Sequence, residues 1–269
     1  MPTPGSLAGR AAFAACLFLT IAVRAHAQPL PSPSTAPPSA DIMTRYSFQL
    51  SMAALSTQDQ RFSWDAHFGG DIDLVDYVAG RANVVIDYEA VLGDEYRPFD
   101  PNQGNYTLEV SGSARRGATE FAGVFHHVSR HLSDRPKPFS IAWNTVGVRA
   151  LRRVAFAGST VDAQASLSGV VKRSYVDYLW TGNADVVVRR PITPRIGVFA
   201  HGFGELYRVD AAVANRGTQT GGRVEVGVRL GGRGGATELF AGYEERLDAD
   251  PLDRQPHRWG LVGFRFVAP

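Results

Sequence analysis

Residues Gly222 to Leu230 read "GRVEVGVRL". In an extended chain Val224, Val226, Val228 and Leu230 fall on one side, and Arg223, Glu225, Gly227 and Arg229 on the other. A period of two is the mark of a β-strand with one apolar and one polar face. A soluble sandwich also alternates, so the pattern alone does not choose between architectures. The charges at mid-strand do: they suit a wet lumen enclosed by strands whose apolar faces look outward.

The same pattern recurs along the chain. "RYSFQLSMA" sets Tyr46, Phe48, Leu50 and Met52 against Ser47, Gln49 and Ser51, and "RFSWDAHF" sets Phe62, Trp64, Ala66 and Phe68 against Ser63, Asp65 and His67. "RANVVIDYEAVL" and "TVDAQASLSGVV" repeat it, with Asp87 and Glu89, then Asp162 and Gln164, on the polar side. About twelve strands emerge, at 44–54, 61–74, 80–92, 104–115, 118–130, 139–150, 154–171, 176–190, 195–208, 219–230, 235–246 and 257–267. Most are ten residues or longer, as a tilted membrane-crossing strand requires.

Connections alternate in length. "GDEYRPFDPNQG", "HLSDRPKP", "VDAAVANRGTQT" and "LDADPLDRQP" are long; "RRGA", "LRRV", "RPITPR" and "GGRGG" are short. Outer-membrane barrels carry long extracellular loops and short periplasmic turns in this order. The closing "WGLVGFRFVAP" is an aromatic final strand, with three residues after Phe266. The expected fold is therefore all-β, an antiparallel transmembrane β-barrel.

The amino-terminal residues agree. Arg10 precedes an apolar run, Ala11 to Val23, too short to span a bilayer as a helix, and Ala25 and Ala27 stand in the A-x-A positions. Residues 1–27 thus read as a secretory signal peptide, 28–41 as a Pro/Ser-rich tether and 42–269 as one barrel domain. Cys16 is the single cysteine and leaves with the signal, so disulfides are excluded. With 28 basic and 26 acidic residues there is no nucleic-acid footprint. The expected location is the outer membrane of a Gram-negative bacterium, reached through the barrel-assembly machinery, with outer-membrane lipids as partners.

One hairpin carries chemistry. In "EFAGVFHHVSRHLSDRPKPFSIAWNTVGVRA", Glu120 to Ala150, His127 and Ser129 share a strand face with Phe121 and Phe125. Asn144 shares the apolar face of the other arm with Val146 and Val148, and a turn near Arg135-Pro136 sets it opposite His127 with Ser129 diagonal. Polar groups on a hydrocarbon-facing wall are costly and ask for a function. Val124 and Val128 fall on the supposed lumen side and break the pattern. An imidazole can take a serine proton while an amide oxygen holds its other nitrogen. The bland alternative is polar side chains placed where the wall meets the headgroup layer. His126 and His127 point to opposite faces, which argues against a His126–His131–Asp134 metal cluster. His67 and His201 are expected in the lumen, with Asp65, Asp87, Glu89, Arg223, Glu225 and Arg229 as paired filling of a narrow barrel.

His127-x-Ser129 followed across a hairpin by Trp143-Asn144 resembles the signature of the outer-membrane phospholipase A family. The resemblance implies a twelve-stranded barrel with Ser129 as nucleophile, His127 as base and Asn144 as orienter, hydrolysing phospholipid acyl esters. It also implies calcium dependence, with Ser133-Asp134 in the loop that holds calcium positions, and a homodimer. His131 stands where that family has glycine, and the interval from Ser129 to Asn144 is longer. The longer pattern in "HVSRHLSD" is similar to other outer-membrane barrel families with H-x-S-x-H-L-x-D, and an outer-membrane lipid A deacylase shares the H-x-S arrangement. A non-catalytic barrel, as a small pore or a structural surface protein, is the competing expectation.

Overall fold

The computed structural model describes residues 31–133 and 139–268. The signal segment, the first residues of the Pro-rich stretch, Asp134 and the Arg135-Pro136 turn lie outside these. Twelve strands follow in chain order: β1 (Asp41–Leu55), β2 (Trp64–Asp76), β3 (Arg81–Gly93), β4 (Asp100–Arg116), β5 (Thr119–Leu132), β6 (Ile141–Phe156), β7 (Ser159–Ser174), β8 (Tyr178–Pro191), β9 (Ile196–Val209), β10 (Gln219–Gly231), β11 (Ala236–Asp250) and β12 (Gln255–Ala268). Each pairs antiparallel with its chain neighbours, and β1 pairs with β12, so the sheet closes. Among the described residues there is no helix. Closure gives backbone groups a strand on both sides, which a bilayer demands.

The side chains sort as the alternation requires. Tyr46, Phe48 and Leu50 on β1, and Val224, Val226, Val228 and Leu230 on β10, are exposed on the outer wall; Arg223 and Glu225 are buried inside. The lumen is filled by linked ion pairs. Arg246 reaches Asp65, Glu89 and Glu244, each at 2.8 Å. Arg223 reaches Asp65 at 3.1 Å and Glu225 at 2.7 Å, Arg265 joins Glu225 to Glu238 at 2.8 and 3.0 Å, and Arg229 adds to Glu238 at 2.6 Å. His67 bonds Asp87 at 2.9 Å and His201 bonds Asp185 at 2.6 Å.

Both mouths are covered. At the long-loop end Leu247 to Asp250 are buried, and Arg130 and Gln103 from the far wall donate to the carbonyl oxygens of Asp248 and Ala249 at 2.6–3.0 Å. Most of "LDADPLDRQP" thus belongs to strands or caps the barrel, and only 251–254 remain as a loop. At the short-turn end the Pro-rich stretch, expected as an extended tether, turns back onto the barrel. Pro31, Ser32 and Pro33 line the lumen beside Gln49 and Asp71, and Arg81 and Arg115 donate to Ser32 O and Ser34 Oγ, each at 2.8 Å.

One turn is displaced. The turn expected at "LRRV" lies at Ala157-Gly158, where φ is 51° and 77°, and Phe156 faces Ser159. Two consecutive positive φ angles make the tight hairpin turn that matches strand twist, and glycine favours it at the second position. "RRVAF" keeps alternating in and out, so β6 continues through it. The seam between β1 and β12 is short: it runs from Phe48 opposite Ala268 to Leu55 opposite Leu261, leaving Asp41–Ser47 paired only with β2.

Candidate active site

The hairpin of β5 and β6 is fixed from behind. On the lumen side Val128 faces Trp143, and both join a buried cluster with Leu132, Ile141, Val176, Tyr178 and Val209. Trp143 meets Tyr178 edge-on at 5.2 Å. Val124 packs in the same way with Ala122 and Leu151. The valines that seemed to break the alternation therefore face inward, as apolar filling that stiffens the strand pair.

The opposite faces of the same residues form the outer wall. Phe121, Phe125, Val146 and Val148 are exposed there. Toward the long-loop end the wall turns polar: His127, Ser129 and His131 on β5, with Asn144 directly opposite His127 and Ala142 opposite Ser129. His127 Nδ1 and Asn144 Oδ1 are 2.6 Å apart. With the amide oxygen as acceptor, Nδ1 carries the proton and Nε2 keeps a lone pair. The Ser129 hydroxyl lies 3.1 Å from Nε2 of His131 and is hydrogen-bonded there rather than to His127. His131 stands edge-on to Tyr106 at 5.3 Å, and Tyr106 pairs with Ser129 in register on the β4 side. Lys172 faces Asn144 from β7 and is exposed.

The expected trio thus shares one face, with the base–amide contact formed and the serine–base contact unmade. Ser129 sits between two imidazoles, two residues before and two after it. The second, His131, enters the sequence analysis only as a metal-cluster candidate and as a departure from the family's glycine, although it shares the strand face of Ser129. His126 turns inward, 3.3 Å from Glu109, on the opposite face of β5 from His131.

Two cation sites can be weighed. The outward faces of β4, β5 and β6 carry no carboxylate among the described residues. Imidazoles, hydroxyls and an amide are a poor donor set for calcium, which takes several carboxylate and carbonyl oxygens. Asp65, His67 and Glu89 converge in the lumen, but Arg246 already contacts both carboxylates. A guanidinium there takes the place a cation would need.

No family model matches the sequence, and no curated protein matches it. Solved structures do resemble it. Outer membrane phospholipase A from Escherichia coli superposes with a TM-score of 0.51 at 11% identity, covering 83% of this chain and 92% of that one. An active-site mutant of that enzyme, with an asparagine replaced by alanine, gives 0.51 at 12% identity, over 90% and 95%. The Salmonella typhi outer membrane phospholipase dimer with bound calcium gives 0.51 at 11% identity, over 88% and 94%. Identities this low speak for the fold alone: a closed twelve-stranded barrel of the outer-membrane kind.

Proposed function

We propose that this chain sits in the outer membrane and hydrolyses acyl esters of outer-leaflet lipids at its outer wall. The observation that carries the proposal is the bond from His127 to Asn144, formed on a lipid-facing surface with Ser129 on the same face. The outer membrane phospholipases that share the fold, one of them with an active-site asparagine, support the same reading.

The chemistry runs as follows. Rotation about the Ser129 side chain moves its hydroxyl from His131 to the free Nε2 of His127. His127 takes the proton as the oxygen attacks the acyl carbonyl, and the Asn144 oxygen steadies the imidazolium. The proton passes to the departing lysolipid alcohol, and water, activated by the same imidazole, releases the fatty acid from the serine ester. An ester in the adjacent leaflet reaches this wall without leaving the membrane.

Fatty-acid release from phospholipid–detergent micelles by the refolded protein, with and without calcium, tests the proposal; no release in either condition refutes it. Asn144→Ala is expected to lower kcat by roughly 10- to 100-fold, because an amide orients the ring but stabilises its charge less than a carboxylate. Wild-type rates in that variant would remove Asn144 from the site. The resemblance brings calcium and a homodimer into the proposal. The described outer face offers calcium few ligands, so a strict requirement would place them in the β5–β6 loop around Ser133–Asp134.

A second reading is a non-catalytic barrel. Ser129 resting on His131 favours it, since the nucleophile and the oriented base are apart. The ion-paired lumen with both mouths covered favours a structural protein over a pore.

Sidedness follows from loop length. On intact cells, added protease is expected to cut within Asp94–Asn102, His131–Pro138 or Asp248–Gln255 and to spare 231–235. Cleavage at 231–235 instead would invert the barrel and move Ser129 to the inner leaflet.

A further inference from the structure

The short-turn end carries an arrangement that neither the lumen nor the outer-wall chemistry uses. Four neighbouring hairpins each present at least one exposed arginine at this end: Arg116 closing β4, Arg152 on β6 opposite Thr119 at the start of β5, Arg190 near the end of β8 with Arg195 in the turn after it, and Arg233 between β10 and β11. Among the described residues none of the five guanidinium groups makes an ion pair or hydrogen bond. Their inward-facing neighbours do: Arg115 holds Asp76 at 2.6 Å, and Arg153 and Arg189 hold Asp162 at 2.6 and 3.0 Å. At one end of one barrel the inward-facing arginines are paired, while Arg116, Arg152 and Arg190, outward by parity, and the exposed turn residues Arg195 and Arg233 are free.

The surroundings narrow the partner. The four turns contain no Asp or Glu, whereas the long loops carry Asp59, Asp94, Glu95, Asp210 and Asp253. Directly beside the free arginines the wall is apolar and exposed, with Phe156 at 74%, Ile192 at 60% and Phe121 at 52%. Arg116, Arg152 and Arg190 project on that same face by strand parity. An arginine at the foot of an apolar wall lays its aliphatic stem on hydrocarbon and its planar fork at headgroup depth. That fork matches a phosphate with two parallel hydrogen bonds.

We propose that these five arginines form a rim that binds the phosphates of anionic phospholipids in the leaflet bordering the short-turn end. The proposal rests on the chain spanning a bilayer and is independent of the chemistry at Ser129. The rim selects lipids with net negative charge over zwitterionic ones and anchors the barrel at that depth.

The test uses the full mature chain refolded into vesicles of phosphatidylcholine alone or with about one third phosphatidylglycerol, followed by urea unfolding. Phosphatidylglycerol is expected to shift the wild-type unfolding constant toward the folded state by at least about tenfold, and salt to abolish the shift. The variant with all five arginines changed to glutamine loses the shift, and the variant with all five changed to lysine keeps most of it. Wild type that enters both vesicles and gains nothing from phosphatidylglycerol, or gains equally in the glutamine variant, overturns the rim. So does capture on polyglutamate without any response to phosphatidylglycerol, which would point to an acidic protein partner. Wild type that enters neither vesicle refutes the membrane reading itself. Should the glutamine variant not fold, a wild-type shift that persists in high salt is the overturning result.

Discussion

Ser129→Ala is expected to remove nearly all acyl hydrolysis, by roughly three to six powers of ten in kcat, while the barrel remains folded. The serine lies on the outer wall and its hydroxyl supports no core contact; its hydrogen bond runs to His131 on the surface. The variant therefore keeps its strand content and its stability, and only the chemistry is lost. His127→Ala falls to the same level, because nucleophile and base act as a unit and removing either removes both. His131→Ala separates the two imidazoles. If His127 is the base, this variant keeps most of the activity, since only a resting contact is lost. If activity disappears with His131 and survives the loss of His127, the base has been assigned to the wrong ring. Release of fatty acid from micelles, measured at equal folded protein, decides among the three.

The largest effect on stability is expected from Arg246→Ala. Its guanidinium is buried and serves Asp65, Glu89 and Glu244 together. Truncation leaves several buried carboxylates facing one another in the lumen. Breaking a buried pair in this way typically costs about 3–5 kcal/mol. Arg153→Ala, whose partner Asp162 also has Arg189, is expected to change stability by about 1 kcal/mol or less, because its side chain is 47% exposed. Urea unfolding in detergent, followed by the gel shift between folded and unfolded barrel, compares the two. Adding Asp65→Asn to Arg246→Ala should recover part of the loss, since one of the crowded negative charges is removed while Arg223 keeps Glu225.

Much of this was legible in the sequence, because a barrel wall imposes one rule on every strand. The alternation of Arg223–Leu230 is such a case: hydrocarbon outside and charge inside leave no freedom at any position. Where a second demand intrudes, the rule misleads. Val124 and Val128 look displaced until the cluster around Trp143 is seen, for a narrow lumen can hold apolar packing as well as charge. The turn at Ala157-Gly158 was hidden because "RRVAF" satisfies strand and turn alike. The seating of Pro31–Pro33 in the lumen has no periodic signal, since prolines form no ladder and their place is set by Arg81 and Arg115. At the candidate site, parity brought His127, Ser129 and Asn144 to one face. It could not choose between imidazoles two residues to either side of Ser129, because rotamers, not strand register, make that choice.

The short seam between β1 and β12 sets an order of events. Every other joint in the wall is a hairpin, closed between strands made moments apart. This joint alone unites the two ends of the barrel, across the whole length of the sheet, so its loop-closure entropy is the largest and its formation the slowest. Until β12 arrives, β1 offers a bare edge that any extended segment could occupy. The time during which this edge is uncovered is when the nascent sheet most needs a chaperoning partner. Changes that weaken the pairing of Phe48–Leu55 with Leu261–Ala268 would lengthen that interval more than they would loosen the finished wall.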